Sequence, residues 1–495
     1  MITHPTANIT KIASTPFDLA IVGGGVYGIA VALEAARRGL RPILLERHDF
    51  AGATSWNSLR ILHGGLRYLQ TLDLARFRQS VNERQWFCQH FPELIRPLPC
   101  LMPLYSRGLK RPAPLHAALW LNDQLARHRN HDVQPHLHLP ASRLLSADET
   151  IKWFPRVVRR GLQGGALWYD AVMVNSQRVL IEMLRWACAC GATARNYVNV
   201  KQVITGVPNR HTLVAIDTRT GQPITVQART VINCAGPAVA NLLEQTLDTP
   251  PALFTPSLAF NLLLDRPAFS RAAVAVQAPA VGAPVHFVQP WRGRLLAGTV
   301  HVPWHARNNS RPHPTPAQIA DFLNDLNAAI PGLDLTAIDV RRVYAGLLPA
   351  AHPADATLAN RPVIHDHAND RHAAPGFVTV VGVKFTTARH VAEHALRCAW
   401  AHLGQLPDYQ PRTQRPVNHP RLDLTCPEQL FRHDDAFTRY ELTRIVREEA
   451  VAHLDDLLLR RTDWASDASH EHELTQRISD LLTAADCPLP RAASQ

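Results

Sequence analysis

A glycine-rich turn near the N-terminal end of the chain constrains the fold more than any other segment. Phe17–Gly28 has the sequence FDLAIVGGGVYG, in which an apolar stretch runs directly into Gly23, Gly25 and Gly28 at G-x-G-x-x-G spacing. In a strand–turn–helix unit the first glycine permits the tight turn, the second lets a pyrophosphate approach the backbone, and the third lets helix and strand pack closely. Ile29–Arg38 is predicted to form that helix, whose N-terminus offers free N–H groups to phosphate.

A second predicted strand strengthens this interpretation. Pro42–Leu45 is apolar and is followed by Glu46, about where an acidic side chain would bind the 2′-hydroxyl of an adenosine ribose. A lone glycine motif is weak evidence, because glycine turns are common. Strand, turn, helix, strand and acid in this order predict a dinucleotide-binding site.

Composition narrows the class of protein. A chain of 495 residues predicts roughly two to four domains, and the absence of a long uninterrupted apolar run or basic leader predicts neither a membrane span nor a secretory signal. Eight cysteines without a C-x-x-C pair favour reduced thiols in the cytoplasm. The net charge of +11 is spread along the chain, which favours an anionic substrate or membrane surface over nucleic acid.

Four further segments are typical of the surroundings of an extended cofactor. A hydroxyl-bearing loop, ATS, and a glycine loop, HGGLRYL, follow soon after the acid, and the predicted strand TVINCAGP ends in a glycine. The segment VVGVKFTTARHVAEHA combines a strand, a glycine turn and a helix whose N-terminus would face an anionic or electron-rich group. The residues expected to contact the cofactor are Gly23, Gly25, Gly28, Glu46, Thr54, Ser55, Gly64, Gly65, Val198, Gly236, Gly382, Phe385 and Thr386.

These motifs together resemble a known family. IVGGGVYG, ATSWNS, HGGLRYL, INCAGP, VGVKFTTARHVAEHA and REEAVAHLDDLLLRRT are similar to segments of bacterial FAD-dependent glycerol-3-phosphate dehydrogenases, within the D-amino-acid-oxidase-like flavoproteins. The resemblance runs from about Asp18 to Asp463, and HGGLRYL after ATS is its most specific part. It implies noncovalent FAD, hydride transfer from C2 of glycerol 3-phosphate, and electron transfer to a membrane quinone. It also implies peripheral attachment to the inner face of the cytoplasmic membrane, and it leaves a homodimer open.

The implied fold class is α/β, with a Rossmann-like FAD-binding domain interleaved with a mixed-sheet α+β substrate domain and a small helical C-terminal domain. We expect the oxidoreductase domain at residues 1–405, a proline-rich linker at 406–425, and the helical domain at 426–495. The expected FAD-binding parts are about 17–80, 150–245 and 345–400, and the substrate-domain parts are about 81–149 and 246–344. Residues 107–140 are expected to be irregular, and helices are expected at Phe437–Leu459 and His472–Ala484.

The chain departs from the family where the substrate domain would face the substrate. The family's G-V-R-P stretch corresponds to YAGLLPA, which puts Leu348 at the arginine position. The family's K-G-x-H stretch aligns with LAFN, so that Leu258 and Asn261 replace lysine and histidine. The family's G-T-T-D corresponds to GTVH, which puts Val300 and His301 at its last two positions.

The cationic side of the implied substrate site is retained. Arg67 and Tyr68 lie in HGGLRYL, Arg361 in ANRPVI, and Lys384 in VGVKFTT. Arginine suits bidentate phosphate recognition and lysine adds a point charge. We therefore predict that Arg67, Tyr68, Arg361, Lys384 and Asn261 bind a small anionic substrate.

The catalytic base is less determined by sequence, because geometry must select it. His63 precedes the glycine pair near the expected flavin ring, and His301 lies near the altered positions, as does His352. The predicted catalytic residues are His63, Lys384 and His301, and no residue is predicted to ligate a metal.

Three functions remain open at this point. The first is oxidation of glycerol 3-phosphate, and the second is a flavoenzyme of the same fold that acts on another hydroxy acid, polyol phosphate or amine. The third is a flavin- or nucleotide-carrying protein without catalysis, which the flavin-proximal segment VGVKFTT disfavours. That segment would have no role in a nicotinamide-dependent dehydrogenase.

Overall fold

The structure is a computed structural model. It describes residues 16–105, 112–207, 209–280, 282–304, 311–352, 357–370, 374–401, 403–410, 414–416, 435–466 and 471–490. The predicted 406–425 linker and the beginning of the predicted C-terminal domain therefore lie largely outside the described residues.

A mostly parallel sheet forms the first layer. Its central strands are short apolar runs with buried residues on both faces, as expected where helices cover both sides of a parallel sheet. The order is β16-β17-β10-β1-β2-β7, with β16 antiparallel to β17 and a meander formed by β8, β9 and β10. The strands are β1 (Phe17–Val22), β2 (Pro42–Leu45), β7 (Thr193–Arg195), β8 (Val198–Val207), β9 (Arg210–Asp217), β10 (Pro223–Asn233), β16 (Val363–Asp366) and β17 (Phe377–Val381).

A second, mixed sheet has the order β15-β11-β14-β13-β12-β4-β6-β3, and β5 pairs with β6. Its neighbours are antiparallel except for the parallel pair of β4 and β12. The strands are β3 (Ile61–Leu62), β4 (Ile95–Tyr105), β5 (Arg143–Leu145), β6 (Leu162–Met173), β11 (Pro256–Leu264), β12 (Ala273–Gln277), β13 (Val285–Trp291), β14 (Arg294–Pro303) and β15 (Val340–Pro349).

Helices cover the sheets and form the C-terminal domain. Several begin at side chains that accept a hydrogen bond from the first turn, such as Asn175 and Thr315. The helices are α1 (Val26–Ala36), α2 (Ala53–Trp56), α3 (Leu74–His90), α4 (Pro112–Leu125), α5 (Ala147–Trp153), α6 (Ser176–Ala189), α7 (Val239–Thr246), α8 (Pro316–Ala329), α9 (Ala388–Trp400), α10 (Asp435–Glu448), α11 (Leu454–Asp456) and α12 (Glu471–Thr483).

The architecture confirms the predicted fold class, with a Rossmann-like sheet, a mixed sheet and a helical C-terminal domain. The chain crosses between the two sheets several times, so each sheet is assembled from distant segments. Strands β3 and β6 belong to the mixed sheet although they lie within segments predicted for FAD binding. The predicted domain boundaries themselves stay a prediction.

Two local expectations differ from the structure. Residues predicted to be irregular include α4, whose Leu115 and Leu119 pack into an apolar cluster that no local pattern reveals. The predicted helix Phe437–Leu459 is interrupted after α10, where Ala450 adopts a positive φ of 55°. The chain then resumes in α11 and a π-helical segment, Leu457–Arg461. The interruption exposes the carbonyl of Ala450 to the Asn196 side chain, which a continuous helix would prevent.

Buried ion pairs join the C-terminal domain to the rest of the protein. Arg461 donates to both carboxylate oxygens of Asp49, at 2.6 and 2.8 Å. Arg60 pairs with Asp463 at 2.8 Å, and all four side chains are nearly inaccessible to solvent. Because each charge is removed from water, the loss of one partner leaves the other uncompensated, at a typical cost of about 3–5 kcal/mol.

In the part of the chain that the structure describes, no helix has both the length and the apolar character needed to cross a bilayer.

Replacement of Asp49 by alanine is expected to lower the free energy of unfolding by about 3–5 kcal/mol, because Arg461 stays buried without its carboxylate. The measurement is urea unfolding followed by tryptophan fluorescence. Asp435→Ala is the matched control, since Asp435 pairs with Arg477 at the surface and exposed pairs contribute about 0–1 kcal/mol. Equal shifts of the two unfolding midpoints would show that the buried pair does not hold the domain.

Candidate active site

A cavity of about 2710 Å³ is lined by residues of both sheets and of the C-terminal domain. It exceeds the roughly 300–1,000 Å³ typical of small-molecule pockets, so an extended cofactor and a substrate fit in it together. Val22, Glu46, Cys234 and Gly382 line it at or just beyond the carboxyl ends of four parallel strands. Ligands of open α/β sheets bind at this edge.

The glycine turn has the close contacts that its spacing predicts. Gly23 has a φ of 103°, and a Cβ on Gly28 would lie 1.8 Å from the Gly23 carbonyl oxygen. A Cβ on Gly25 would meet only Ser55 Oγ, at 3.1 Å, on the cavity wall. The first and third glycines therefore fix the turn and the helix packing, and the second leaves room for a ligand against the backbone.

At this same end of the cavity, a side chain holds the first turn of α1 and backbone N–H groups hold the predicted acid. Ser55 Oγ accepts a hydrogen bond from the Val26 N–H at 2.9 Å. The Glu46 carboxylate accepts from the N–H groups of Gly24 at 2.6 Å and His48 at 2.9 Å. A carboxylate has about four acceptor positions, so Glu46 is fixed in place and still able to accept from a ribose hydroxyl.

The Thr54 hydroxyl makes a contact within the protein, and its predicted role in cofactor binding stays a prediction. Its hydroxyl donates to the Leu347 carbonyl of β15 at 2.9 Å. A Cβ on Gly346 would lie 2.9 Å from Thr54 Cα, so the two segments touch through their backbones. Thr54 lines the cavity, but its hydroxyl joins the cofactor-side loop to the mixed sheet.

His63 stands next to a buried carboxylate that sequence reasoning missed. Asp170 on β6 contacts His63 Nδ1 at 3.1 Å, and it accepts from the Gly64 N–H and from Arg84 Nη1, each at 2.7 Å. Burial alone would raise the pKa of Asp170, but His63, Arg84 and the Gly64 N–H lower it to about 2. Asp170 is therefore ionised and can orient the His63 ring, which lines the cavity and is half-exposed.

The structure gives a reason for glycine at position 64, in addition to its place in the HGGLRYL motif. A Cβ there would lie 2.1 Å from Arg84 Nη1, so only glycine lets the guanidinium reach Asp170. Gly65, with a φ of 86°, begins the short 3-10 helix Leu66–Thr71 that carries Arg67 and Tyr68. Both side chains line the cavity, and Arg67 is exposed.

Tyr27 links the glycine turn to the loop after β17. Its hydroxyl donates to the Lys384 carbonyl at 2.7 Å and accepts from the Lys384 N–H at 2.9 Å. A Cβ on Gly382 would lie 1.8 Å from the Tyr27 ring, so Gly382 makes this contact possible. Burial raises the pKa of Tyr27, which keeps the phenol neutral as both donor and acceptor.

The same loop places Lys384 against HGGLRYL. Lys384 Nζ contacts the Tyr68 hydroxyl and lies 4.3 Å from the centre of the Tyr68 ring. The two motifs are more than 300 residues apart in the chain and meet at the cavity wall. Phe385 and Thr386 also line the cavity beside Gly382, as do Gly65, Val198 and Gly236.

Asn261 and His301 occupy the wall formed by the mixed sheet. The Asn261 amide donates to the Asn57 carbonyl at 3.0 Å and accepts from the Thr299 hydroxyl at 2.8 Å, so it braces this wall. Burial, together with His286, lowers the pKa of His301 to about 4. His301 is therefore neutral at pH 7, and its buried Nδ1 lacks a hydrogen-bond partner among the described residues.

Of the remaining predicted positions, one lines the cavity and the others do not. Leu348 lines the cavity, whereas Leu258 is 1% exposed and Val300 packs against the apolar core of the mixed sheet.

Arg361 is exposed and is not among the cavity-lining residues. Its neighbour Asn360 accepts a hydrogen bond at its carbonyl from Arg76, at 2.7 Å, and Arg76 lies over the Tyr68 ring. The role of Arg361 in substrate binding stays a prediction, as does that of Asn261.

A cluster of metal-binding side chain types lies outside this cavity. His365, His367 and Asp370 are within 4.8 Å of one another. Asp370 contacts both histidines at 2.7 and 2.6 Å, and the second nitrogen of the buried His367 pairs with the Thr379 hydroxyl at 2.8 Å. These hydrogen bonds account for the cluster as a brace between β16 and β17.

Comparisons with known proteins place this geometry in a family. The profile of the family described as FAD dependent oxidoreductase matches residues 18–396. The chain belongs to this family. Over 402 residues it is 33% identical to glycerol-3-phosphate dehydrogenase 1 of Mycobacterium bovis, an alignment that covers 80% of this chain and 75% of that protein. It is thus an FAD-dependent oxidoreductase of the glycerol-3-phosphate dehydrogenase type.

Solved structures agree with the fold of this FAD-dependent oxidoreductase. The X-ray structure of the glycerol-3-phosphate dehydrogenase from Bacillus halodurans, complexed with FAD, superposes with a TM-score of 0.67 at 20% identity and covers 98% of each chain. The reduced L-alpha-glycerophosphate oxidase from Mycoplasma pneumoniae, with FAD bound, has a TM-score of 0.59 at 16% identity. That alignment covers 82% of this chain and 100% of the other.

The cavity of this FAD-dependent oxidoreductase fits the cofactor. The open space beside Gly25 and the adjacent first turn of α1 suit the pyrophosphate, and Glu46 suits the ribose. The loop Gly382–Thr386 lies at the end of β17 and lines the cavity, and its Lys384 contacts Tyr68. The cofactor prediction is thus confirmed by the family, whereas the individual contacts stay predictions.

Proposed function

We propose that this protein oxidises sn-glycerol 3-phosphate to dihydroxyacetone phosphate and that FAD accepts the hydride. The observation that carries the proposal is the contact of Lys384 with Tyr68, which brings a second cation to the segment that holds Arg67. Two cationic side chains at one cavity wall suit a phosphate ester. The names of the relatives support the same substrate class.

The residues divide into an anion clamp and a base. Arg67 and Lys384 bind the phosphate and hold the glycerol C2 near the flavin end of the cavity. Bound FAD supplies the hydride acceptor. His63 takes the proton of the C2 hydroxyl at Nε2, since Asp170 engages Nδ1. We favour His63 over His301, because the pKa of His301 near 4 makes it a weak base at neutral pH.

A second candidate is a diverged substrate, such as another hydroxy acid, a polyol phosphate or an amine. Leu348 favours it, because this apolar side chain lines the cavity at the position where the resemblance implies an arginine. Leu258 and Val300, two of the other altered positions, pack away from the cavity and give no further support to a diverged substrate.

Anaerobic bleaching of the flavin absorbance distinguishes the two candidates. Glycerol 3-phosphate is expected to reduce the flavin, and glycerol at the same concentration is not, since it lacks the anion that the clamp binds. The panel also contains other polyol phosphates, hydroxy acids and amines. Faster reduction by a compound other than glycerol 3-phosphate would favour the diverged substrate.

Removal of either cation is expected to weaken apparent substrate affinity by about tenfold to a hundredfold, the equivalent of a charged hydrogen bond of about 1.5–3 kcal/mol. The variants are Arg67→Gln and Lys384→Gln, with flavin reduction measured against substrate concentration and FAD content checked in each. Arg78→Gln is the matched control, because Arg78 is exposed on α3 and does not line the cavity. Unchanged substrate dependence in both variants would contradict the clamp.

Replacement of the proposed base is expected to slow flavin reduction by about 10²–10⁴-fold with little change in KM. His63→Asn removes the base, and Asp170→Asn removes the carboxylate that orients it. His131→Asn is the control, since His131 forms a similar pair with Asp132 on the surface. If the His63 variant reduces its flavin at the original rate, the base lies elsewhere.

For the electron acceptor we propose a membrane quinone, with peripheral binding at the inner face of the cytoplasmic membrane. The net charge of +11 supports attraction to anionic lipid, and the free cysteines among the described residues suit a reducing compartment. Reduced protein mixed with a soluble quinone analogue or with oxygen provides the test, and stoichiometric hydrogen peroxide would contradict the proposal. A homodimer stays a prediction.

A further inference from the structure

The C-terminal domain contributes a side chain to the cofactor cavity. Asp455, Asp456, Leu458, Leu459 and Arg460 line it from the segment that follows the break after α10. The neighbouring Arg461 is anchored by Asp49 and by the carbonyl of Glu449. This anchor fixes the direction of the π-helical segment and thereby places Arg460 at the cavity.

Arg460 differs from Arg461 because two of its three guanidinium nitrogens lack a hydrogen-bond partner among the described residues. These two nitrogens, Nε and Nη1, are buried. Its guanidinium carbon lies 4.5 Å from the centre of the Trp56 ring, in a cation–π contact. Burial lowers the pKa of Arg460, and the charges of Asp49 and Asp456 offset this only in part. Buried donors are normally hydrogen-bonded, so a guanidinium with two unsatisfied nitrogens at a cavity suits an anionic ligand.

The surroundings of Arg460 identify which anion would fit. Trp56 directly follows Ser55, whose hydroxyl binds the first turn of α1 at the glycine motif. His48 lies two residues after Glu46, and its pKa is lowered by burial and also by the charge of Arg460. Arg460 therefore lines the same cavity as the turn that suits a pyrophosphate and the acid that suits a ribose. The anionic part of FAD between these two places is its pyrophosphate.

We propose that Arg460 donates hydrogen bonds to the FAD pyrophosphate. The C-terminal domain then completes the cofactor site, with Trp56 holding the guanidinium plane. Retention of FAD would depend on the docking of this domain through Arg461 and Asp49. The inference rests on the FAD site alone and is independent of the substrate.

The test uses full-length apoprotein with FAD and ADP as probes. Arg460→Gln is expected to raise the dissociation constants of both by about tenfold or more, because ADP carries the same pyrophosphate. Arg447→Gln is the control, since Arg447 is exposed on α10 and does not line the cavity. Arg460→Lys keeps the charge and should recover part of the affinity. Weaker FAD binding with unchanged ADP binding would overturn the assignment to the phosphates.

Thermal unfolding separates a ligand contact from a structural role. Without FAD, Arg460→Gln should be about as stable as the original protein, because the removal of two unsatisfied buried donors offsets the loss of the Trp56 contact. With saturating FAD, the rise in Tm should be smaller than in the original protein, since weaker binding gives less stabilisation. A variant apoprotein that is clearly less stable or fails to fold, or FAD and ADP affinities equal to those of the original protein, would overturn the proposal.

Discussion

The contact between Tyr27 and the backbone of Lys384 is the constraint on which the site depends. The phenol both donates to and accepts from the same residue, and it ties the start of α1 to the loop after β17. Only glycine fits at position 382, because any Cβ there would overlap the Tyr27 ring. The loop can therefore place Lys384 only where it meets Tyr68. One aromatic side chain thus sets the distance between the dinucleotide turn and the cationic wall.

The mixed sheet and the helical domain close the site from other directions. β15 touches the loop at Thr54 through its backbone, while β6 supplies Asp170 behind His63. The C-terminal domain reaches the cavity because buried charge pairs, rather than a large apolar surface alone, hold it in place. Such pairs require accurate geometry to offset desolvation. The same requirement explains why the domain docks in one orientation and can deliver Arg460 to the cofactor.

The altered wall of the substrate domain is smaller than the sequence alone implies. Of the replaced positions, Leu258, Asn261, Val300 and Leu348 were expected to reshape the pocket, but the structure buries Leu258 and packs Val300 into the core. Asn261 braces the wall through Asn57 and Thr299, and Leu348 alone of the four presents an apolar side chain at the cavity. Strand alternation decides this, because successive residues face opposite sides of a sheet and an uncertain register leaves the face uncertain.

By itself, the sequence determined the parts of this protein that are local. The glycine spacing, the apolar strands and Glu46 predicted a Rossmann-like unit, because each depends on contacts within a few dozen residues. Tertiary structure alone decided which distant residues meet. Asp170 and Arg84 carry no local signal, since an aspartate in a strand or one arginine among many is ordinary until its partner is known. Tyr27 and Arg460 lie in motifs that resemble the family, but those motifs do not show which residues they contact. Tertiary structure also decided the break at Ala450, because the Ala450 carbonyl accepts a hydrogen bond from the Asn196 side chain of another domain.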